Sequence, residues 1–213
     1  MMSLTSWPGF AAGCIFTLLL LPVIGSEAPQ DEKPAAQQEK PGAEGLAEMM
    51  EKAKKYTQPG SHHELLERFL GTWDTETRVF MGEQTTKPER GTAECTWLMK
   101  GRWLQTRAQG AMMGRQFDSF SLMGYDNFKQ SYVATMVSSW DTAMNRAEGD
   151  LDPGGEVLIL YGTIDEYLTG EHDKMVKLVW RFLSDDEIIQ EFHDLPIGEK
   201  NTKVVEIRYT RKS

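Results

Sequence analysis

From residue 72 onwards apolar and polar side chains alternate with a period of two, the spacing of strands that turn one face to a core. Ten runs carry the pattern: 72–81, 90–99, 102–110, 117–125, 131–140, 146–151, 157–166, 174–183, 187–194 and 203–211. Turn-formers separate them, among them Met81-Gly82-Glu83, Lys100-Gly101, Asp126-Asn127, Asp152-Pro153-Gly154-Gly155, Leu168-Thr169-Gly170, Ser184-Asp185-Asp186 and Gly198-Glu199-Lys200-Asn201. Links this short join neighbours antiparallel. The pattern therefore predicts an all-β fold, an up-and-down antiparallel barrel of about ten strands, because closure removes the exposed edges. A two-sheet sandwich is the alternative, and it needs longer crossovers.

Ahead of the strands the period is helical. Ser61 and Glu64 stand at capping-box spacing, and Leu65, Leu66, Phe69 and Leu70 follow at helical intervals, which predicts a helix over 62–70 stopped by Gly71. A short amphipathic helix is predicted over 44–56, with Leu46, Met49, Met50 and Ala53 on one face. Residues 26–43 hold no apolar side chain larger than Ala apart from proline and read as a disordered tether. Residues 10–25, FAAGCIFTLLLLPVIG, form an uncharged run too short for a comfortable span of about 20 residues and suited to a signal peptide core. The organisation expected is a signal peptide at 1–25, a disordered linker with a short helix at 26–58 and the barrel at 59–213. The destination is the periplasm or the exterior, with cleavage after Gly25 or Ala28.

Composition narrows the partners. The net charge is −9, of which −7 falls on residues 61–213, with no basic cluster. That balance excludes nucleic acid, where Lys and Arg neutralise phosphate, and docking on anionic lipid. No membrane insertion of the mature chain is expected. Cys14 lies in the export segment, so the mature chain keeps Cys95 alone and forms no internal disulfide. Cys95 alternates with its neighbours in a strand and reads as buried filler.

Gly71-Thr72-Trp73 opens the first strand with the Gly-x-Trp sign of lipocalin-like proteins, and Tyr209-Thr210-Arg211 ends the last. Longer stretches resemble a bacterial family known as domain of unknown function 1579: PGSHHELLERFLGTW (59–73), GRWLQTRAQGAMMGRQF (101–117), LMGYDNFKQSYVATMV (122–137), EGDLDPGGEVLILYG (148–162) and IRYTRK (207–212). The resemblance implies a lipocalin-like, calycin-type barrel and carries no activity with it. Where that family runs Pro-Gly-Pro-Glu-His, this chain has Ser61 and His62 at the third and fourth positions and keeps His63. The resemblance also implies Trp near Met136 and Asp near Ser138, with Trp140 filling the lost volume. If those positions line a cavity, this chain's ligand differs.

No nucleophile elbow, zinc-binding helix, phosphate loop or dinucleotide fingerprint occurs in the sequence, and no cofactor or metal is assigned. His62 and His63 are adjacent on a helix, about 100° apart, a poor grip for one ion. Trp73 and Arg211 would meet where the first and last strands close the barrel, a structural latch with a guanidinium over an indole. Tyr132, Met136 and Trp140 share one strand face, and Trp73, Thr75, Thr77 and Val79 another. A cavity walled so would suit an apolar or amphipathic molecule, and a filled core is the alternative. Arg181, Glu191 and His193 share a face if the loop between their strands is odd in length. They would then either line the cavity, fixing a polar head or moving a proton, or form an exposed ion pair. Three functions follow: a non-catalytic carrier of a small amphipathic molecule, a barrel enzyme using Arg181, Glu191 and His193, or an interaction module.

Overall fold

The computed structural model describes residues 43–167, 169–195 and 202–213. The expected signal segment, the tether up to residue 42, Leu168 and the turn at 198–201 lie outside the described residues. Eleven strands follow two short helices and a 3-10 turn. They are β1 (Gly71–Met81), β2 (Gln84–Thr85), β3 (Glu89–Met99), β4 (Trp103–Met112), β5 (Arg115–Asp126), β6 (Ser131–Ser138), β7 (Asn145–Leu151), β8 (Val157–Glu166), β9 (Glu171–Phe182), β10 (Glu187–Asp194) and β11 (Thr202–Arg211). Apart from β2, which only extends the tip of β1 across a turn at Gly82, each strand pairs antiparallel with its neighbour in sequence, β1 with β3. β11 returns to β1 in a register running from Trp73 opposite Arg211 to Val79 opposite Val205. Ten strands thus close an up-and-down barrel.

One residue parity faces inward on each strand. Trp73, Thr75 and Thr77 pair with Arg211, Tyr209 and Ile207, and the next strands continue the layers through Ala93, Cys95, Leu104, Met123 and Tyr132. One end of the barrel is filled. Leu65, Leu66 and Phe69 from the segment before β1 are buried against Trp73, Tyr125, Leu158, Trp180 and Phe182. Each such side chain contributes about 1.5–3 kcal/mol of apolar burial.

That plug is not the single helix expected over 62–70. It is one α-turn, α2 (Ser61–Glu64), followed by a 3-10 turn over Leu65–Phe69. Its N-cap is Gly60 rather than Ser61. The Gly60 N–H donates to His63 Nδ1 at 3.1 Å, and the Gly60 carbonyl accepts from the His63 N–H at 2.9 Å. In the 3-10 turn Leu66 and Phe69, three residues apart, fall on one face, and Leu65, Leu66 and Phe69 are all buried.

The helix α1 (Ala43–Thr57) matches the expected 44–56 stretch, and Leu46, Met49 and Met50 on it are exposed. Only its C-terminal end touches the barrel. Tyr56 stands edge-on to Phe128, the Arg102 guanidinium donates to the Thr57 carbonyl, and Asn127 donates to the Gln58 carbonyl. The β7–β8 contact is unusually close. A Cβ on Gly149 would lie 2.1 Å from the Ile159 carbonyl oxygen, and one on Gly162 would lie 2.1 Å from that of Arg146.

Candidate functional site

Above the plugged end the barrel is hollow. A cavity of about 410 Å³ lies against β6–β9 and reaches the open rim, and a second of about 230 Å³ lies against β1, β4, β5, β10 and β11. Met112, Met136, Trp140, Asn145, Phe192 and Val205 border both, so the two are compartments of one interior. The first wall is apolar, with Val79, Ala134, Ile164, Val176 and Leu178. The second carries neutral hydrogen-bonding groups, Thr75, Thr77, Ser119, Ser121, Ser138 and Gln190. A wider depression of about 700 Å³ crosses the outer face over Thr92, Glu94, Arg107 and Phe120. A ligand there would keep most of its surface in water, which makes the interior the stronger candidate.

Period two in β5 and β10 places Ser119 and Ser121 with Phe117 and Met123, and Gln190 with Ile188 and Phe192, all facing inward. Sequence reasoning passed over Ser119, Ser121, Gln190 and Phe192, although the same alternation that found the strands would have found them. Gln190 is buried at 8% exposure, and the Tyr209 hydroxyl donates to its Oε1 at 2.7 Å. Burial pushes the Tyr209 phenol well above its ordinary value, which keeps it a donor.

Of the residues expected to line the cavity, Met136 and Trp140 do. Trp140 reaches it from outside the strand. β6 stops at Ser138, not 140, because its ladder to β7 runs only from Tyr132 to Met136 and a turn follows. In that turn the Ser139 N–H donates to the Asp118 carbonyl at 2.8 Å, and the Trp140 N–H donates to Ser138 Oγ at 3.2 Å. The indole lies across the rim, with the Arg115 guanidinium 4.6 Å from its ring centre and its Nε1–H donating to the Tyr167 hydroxyl.

Tyr132 belongs to the plug instead. It is 1% exposed, its hydroxyl donates to the His62 carbonyl at 2.8 Å, and its ring stands edge-on to Tyr125 at 4.9 Å. Burial, with the neighbouring Tyr125 and Asp150, pushes its phenol up to about 12. Tyr132 lies near the β6 terminus at the plug, four residues before Met136. The imidazole of His62 stacks on Tyr125 at 4.3 Å, and the buried His63 stands edge-on to the same ring at 5.8 Å.

Arg181 and Glu191 are on the outer wall, which corrects the cavity-lining expectation. The loop is odd, as the shared face requires, but Arg181 lies opposite Ile189 and Glu191 opposite Val179, so the two meet diagonally, Nε to Oε2, at 3.2 Å. Their parity alternates with Trp180 and Gln190, which face inward. Glu191 is nevertheless only 9% exposed, because long side chains cover it. Lys203 Nζ reaches its Oε1 at 3.2 Å and also bonds Glu206, and His193 Nε2 stands 3.4 Å from its Oε2. Burial opposes ionisation of Glu191, and Lys203 with His193 and Arg181 overcomes it, holding its carboxyl below the usual value. His193 borders the cavity mouth where β10 and β11 shift register, although its Nε2 turns to Glu191. The three residues form an outer ion network with His193 at the rim.

Trp73 and Arg211 meet at the β1–β11 seam. The guanidinium carbon lies 4.1 Å from the indole centre, and the indole N–H donates to the Phe69 carbonyl at 2.8 Å. Arg211 also donates to the carbonyls of Leu70, Arg68 and Asp185. Gly71, at a φ of 120°, leaves room for this: a Cβ there would stand 2.6 Å from the guanidinium nitrogen. Cys95 is buried beside Thr106, its thiol pushed up by burial to about 11, which leaves it protonated and inert at neutral pH.

A profile of the family described as "Protein of unknown function (DUF1579)" matches residues 58–211. The chain belongs to that family. No curated protein matches this family member in sequence. Among solved structures it is similar in fold to Rv2717c from M. tuberculosis, at 12% identity and a TM-score of 0.55, covering 73% of this chain and 100% of that one. It is also similar to the S-type phycobiliprotein lyase CPES from Guillardia theta, at 9% identity and a TM-score of 0.50, covering 75% of this chain and 96% of that one. At these identities the likeness is one of fold: this DUF1579 protein is a lipocalin-like, calycin-type barrel. No described helix is long and apolar enough to cross a membrane.

Proposed function

We propose that this protein is exported and holds a small apolar or amphipathic molecule inside its barrel, acting as a carrier and not as an enzyme. One observation supports binding above the rest. The interior is a walled space whose larger compartment, about 410 Å³, falls in the range of about 300–1,000 Å³ common to small-molecule sites, and its wall is mainly apolar. The one polar triad that sequence suggested for catalysis, Arg181, Glu191 and His193, is committed to an outer ion network. The uncharged run at 10–25 and the polar tether behind it support export.

Binding is tested by titrating the purified chain with the neutral dye N-phenylnaphthylamine. Saturable fluorescence enhancement at one dye per chain is expected, and Ala134→Phe, which fills the larger compartment, should abolish it while leaving the urea midpoint in place. Absence of saturable binding, or binding indifferent to the filled cavity, overturns the carrier reading. Export is tested by N-terminal sequencing of the mature protein. A start between Ser26 and Pro29 is expected, and a chain beginning at Met1 overturns it.

A further inference from the structure

The chemistry of the interior goes further than its size, and this inference rests on the carrier reading. We infer that the barrel takes a neutral amphiphile, one whose polar end is a hydroxyl or carbonyl inserted toward Gln190, and that it rejects carboxylates.

Gln190 stands buried on the wall of the smaller compartment. One end of its amide is held by the Tyr209 hydroxyl, which donates to Oε1 at 2.7 Å and leaves the other end to the interior. No fully buried side-chain nitrogen or oxygen among the described residues lacks a partner. The Gln190 side chain makes no other hydrogen bond to a described residue, and it borders both this compartment and a narrow space of about 50 Å³ next to the plug. Ser119 and Ser121, on the facing wall, open onto the same space. An amide N–H and hydroxyls offer donors and acceptors without net charge, which matches an alcohol, ester or amide oxygen.

A carboxylate finds no counter-ion there. Among the described residues the ionisable side chains on this compartment are the Tyr209 phenol and, at the rim, Asp141, itself an acid. Burying an unpaired carboxylate is among the costliest placements in a protein. At the mouth an anion meets Asp141, Asp165, Glu166 and Asp194, while His193 there turns its Nε2 to Glu191 at 3.4 Å. Lys174 is already engaged by Asp194 at 2.9 Å with Glu166 and Glu171 around it, and Arg115 is stacked on Trp140. Arg146, the remaining described cation on the wall of the larger compartment, is exposed and alternates with the inward-facing Asn145 and Ala147.

The test displaces N-phenylnaphthylamine from the full chain with three probes that share one alkyl tail: dodecanol, dodecanoate and dodecylammonium. Dodecanol is expected to displace the dye at a concentration at least about tenfold below that of dodecanoate, the factor set by one satisfied against one unsatisfied buried polar group. Gln190→Leu should weaken dodecanol by about tenfold once its displacement is corrected for the variant's own dye affinity. Ser121→Ala, which removes a cavity hydroxyl without touching the Tyr209 contact, gives a smaller loss in the same direction and serves if Gln190→Leu does not fold. Equal or tighter binding of dodecanoate overturns the inference. So does dodecylammonium binding tightest, which would seat the head at the acidic mouth, or an alcohol preference that neither variant changes. Failure of the dye itself to bind overturns the carrier reading and this inference together, whereas dye binding with the wrong probe order overturns this inference alone.

Discussion

Arg211 and Arg208 are three residues apart on one strand and do different work. Arg211 covers the Trp73 indole and ties the last strand to the carbonyls of Arg68 and Leu70, so it fixes the register of a seam that has no turn of its own. Arg208 pairs with Glu187 on the outer wall, both partly exposed. Arg211→Ala should therefore cost roughly 1–3 kcal/mol in urea denaturation and Arg208→Ala less than about 1 kcal/mol. Equal losses would mean that the seam is held elsewhere. His63 supplies a pH dependence. Burial, with the charge of Arg102 nearby, lowers its pKa from 6.5, and the Gly60 N–H bond to Nδ1 survives only while that nitrogen is unprotonated. Below pH 6.5 the unfolded chain takes up a proton that the folded chain resists, so stability rises with pH across that window. Stability should be full above pH 6.5 and fall as pH drops below it. His63→Gln, which keeps an acceptor for Gly60 and removes the titration, should flatten thermal melts recorded on either side of that value.

At the scale of elements, α1 and the β7–β8 ladder are opposites. α1 leaves Leu46, Met49 and Met50 in solvent and meets the barrel only near Tyr56 to Gln58. Removing residues 26–56 should shift the melting temperature by no more than a few degrees, and a large drop would show that α1 supports the barrel. The β7–β8 pair has no slack. Gly162→Ala would drive a Cβ into the Arg146 carbonyl and should cost about 2 kcal/mol or more, because backbone has to move. Gly110→Ala, whose Cβ would meet the Phe117 ring at 3.5 Å and the Gly91 Cα at 3.6 Å, both ordinary contacts, should change stability by less than about 1 kcal/mol in the same assay.

The barrel is plugged at one end and hollow at the other. The plug carries the aromatic and leucine-rich layers, so the open half can hold a cavity without loss of the fold. A ligand that occupies the cavity in the folded state alone should stabilise the chain by mass action. N-phenylnaphthylamine at a hundred times its dissociation constant should add about 2.7 kcal/mol in urea denaturation. A midpoint unchanged by saturating dye would mean that the dye sits on surface that persists in the unfolded chain.

Much of this architecture was legible in the alternation of side chains. Each of the ten runs became a strand, and Gly71, Trp73 and Arg211 foretold the seam, because a period of two is a local property that survives any choice of partner. The cavity residues Met136 and Trp140 were legible as residue types, and Tyr132 on the same strand was misplaced because alternation gives a face and not a depth. Arg181 and Glu191 show the other limit. Their common face followed from the loop's parity, but whether that face is the inside depends on which layer Trp180 and Gln190 join, a choice made by packing across the barrel. Strand order and closure were written in the alternation and the short turns, whereas the plug was not, since the residues before Gly71 promised only a helix. Only the tertiary structure decided that the interior is hollow above the plug and neutral at Gln190, because a cavity is what remains between side chains of strands that the sequence does not place next to one another.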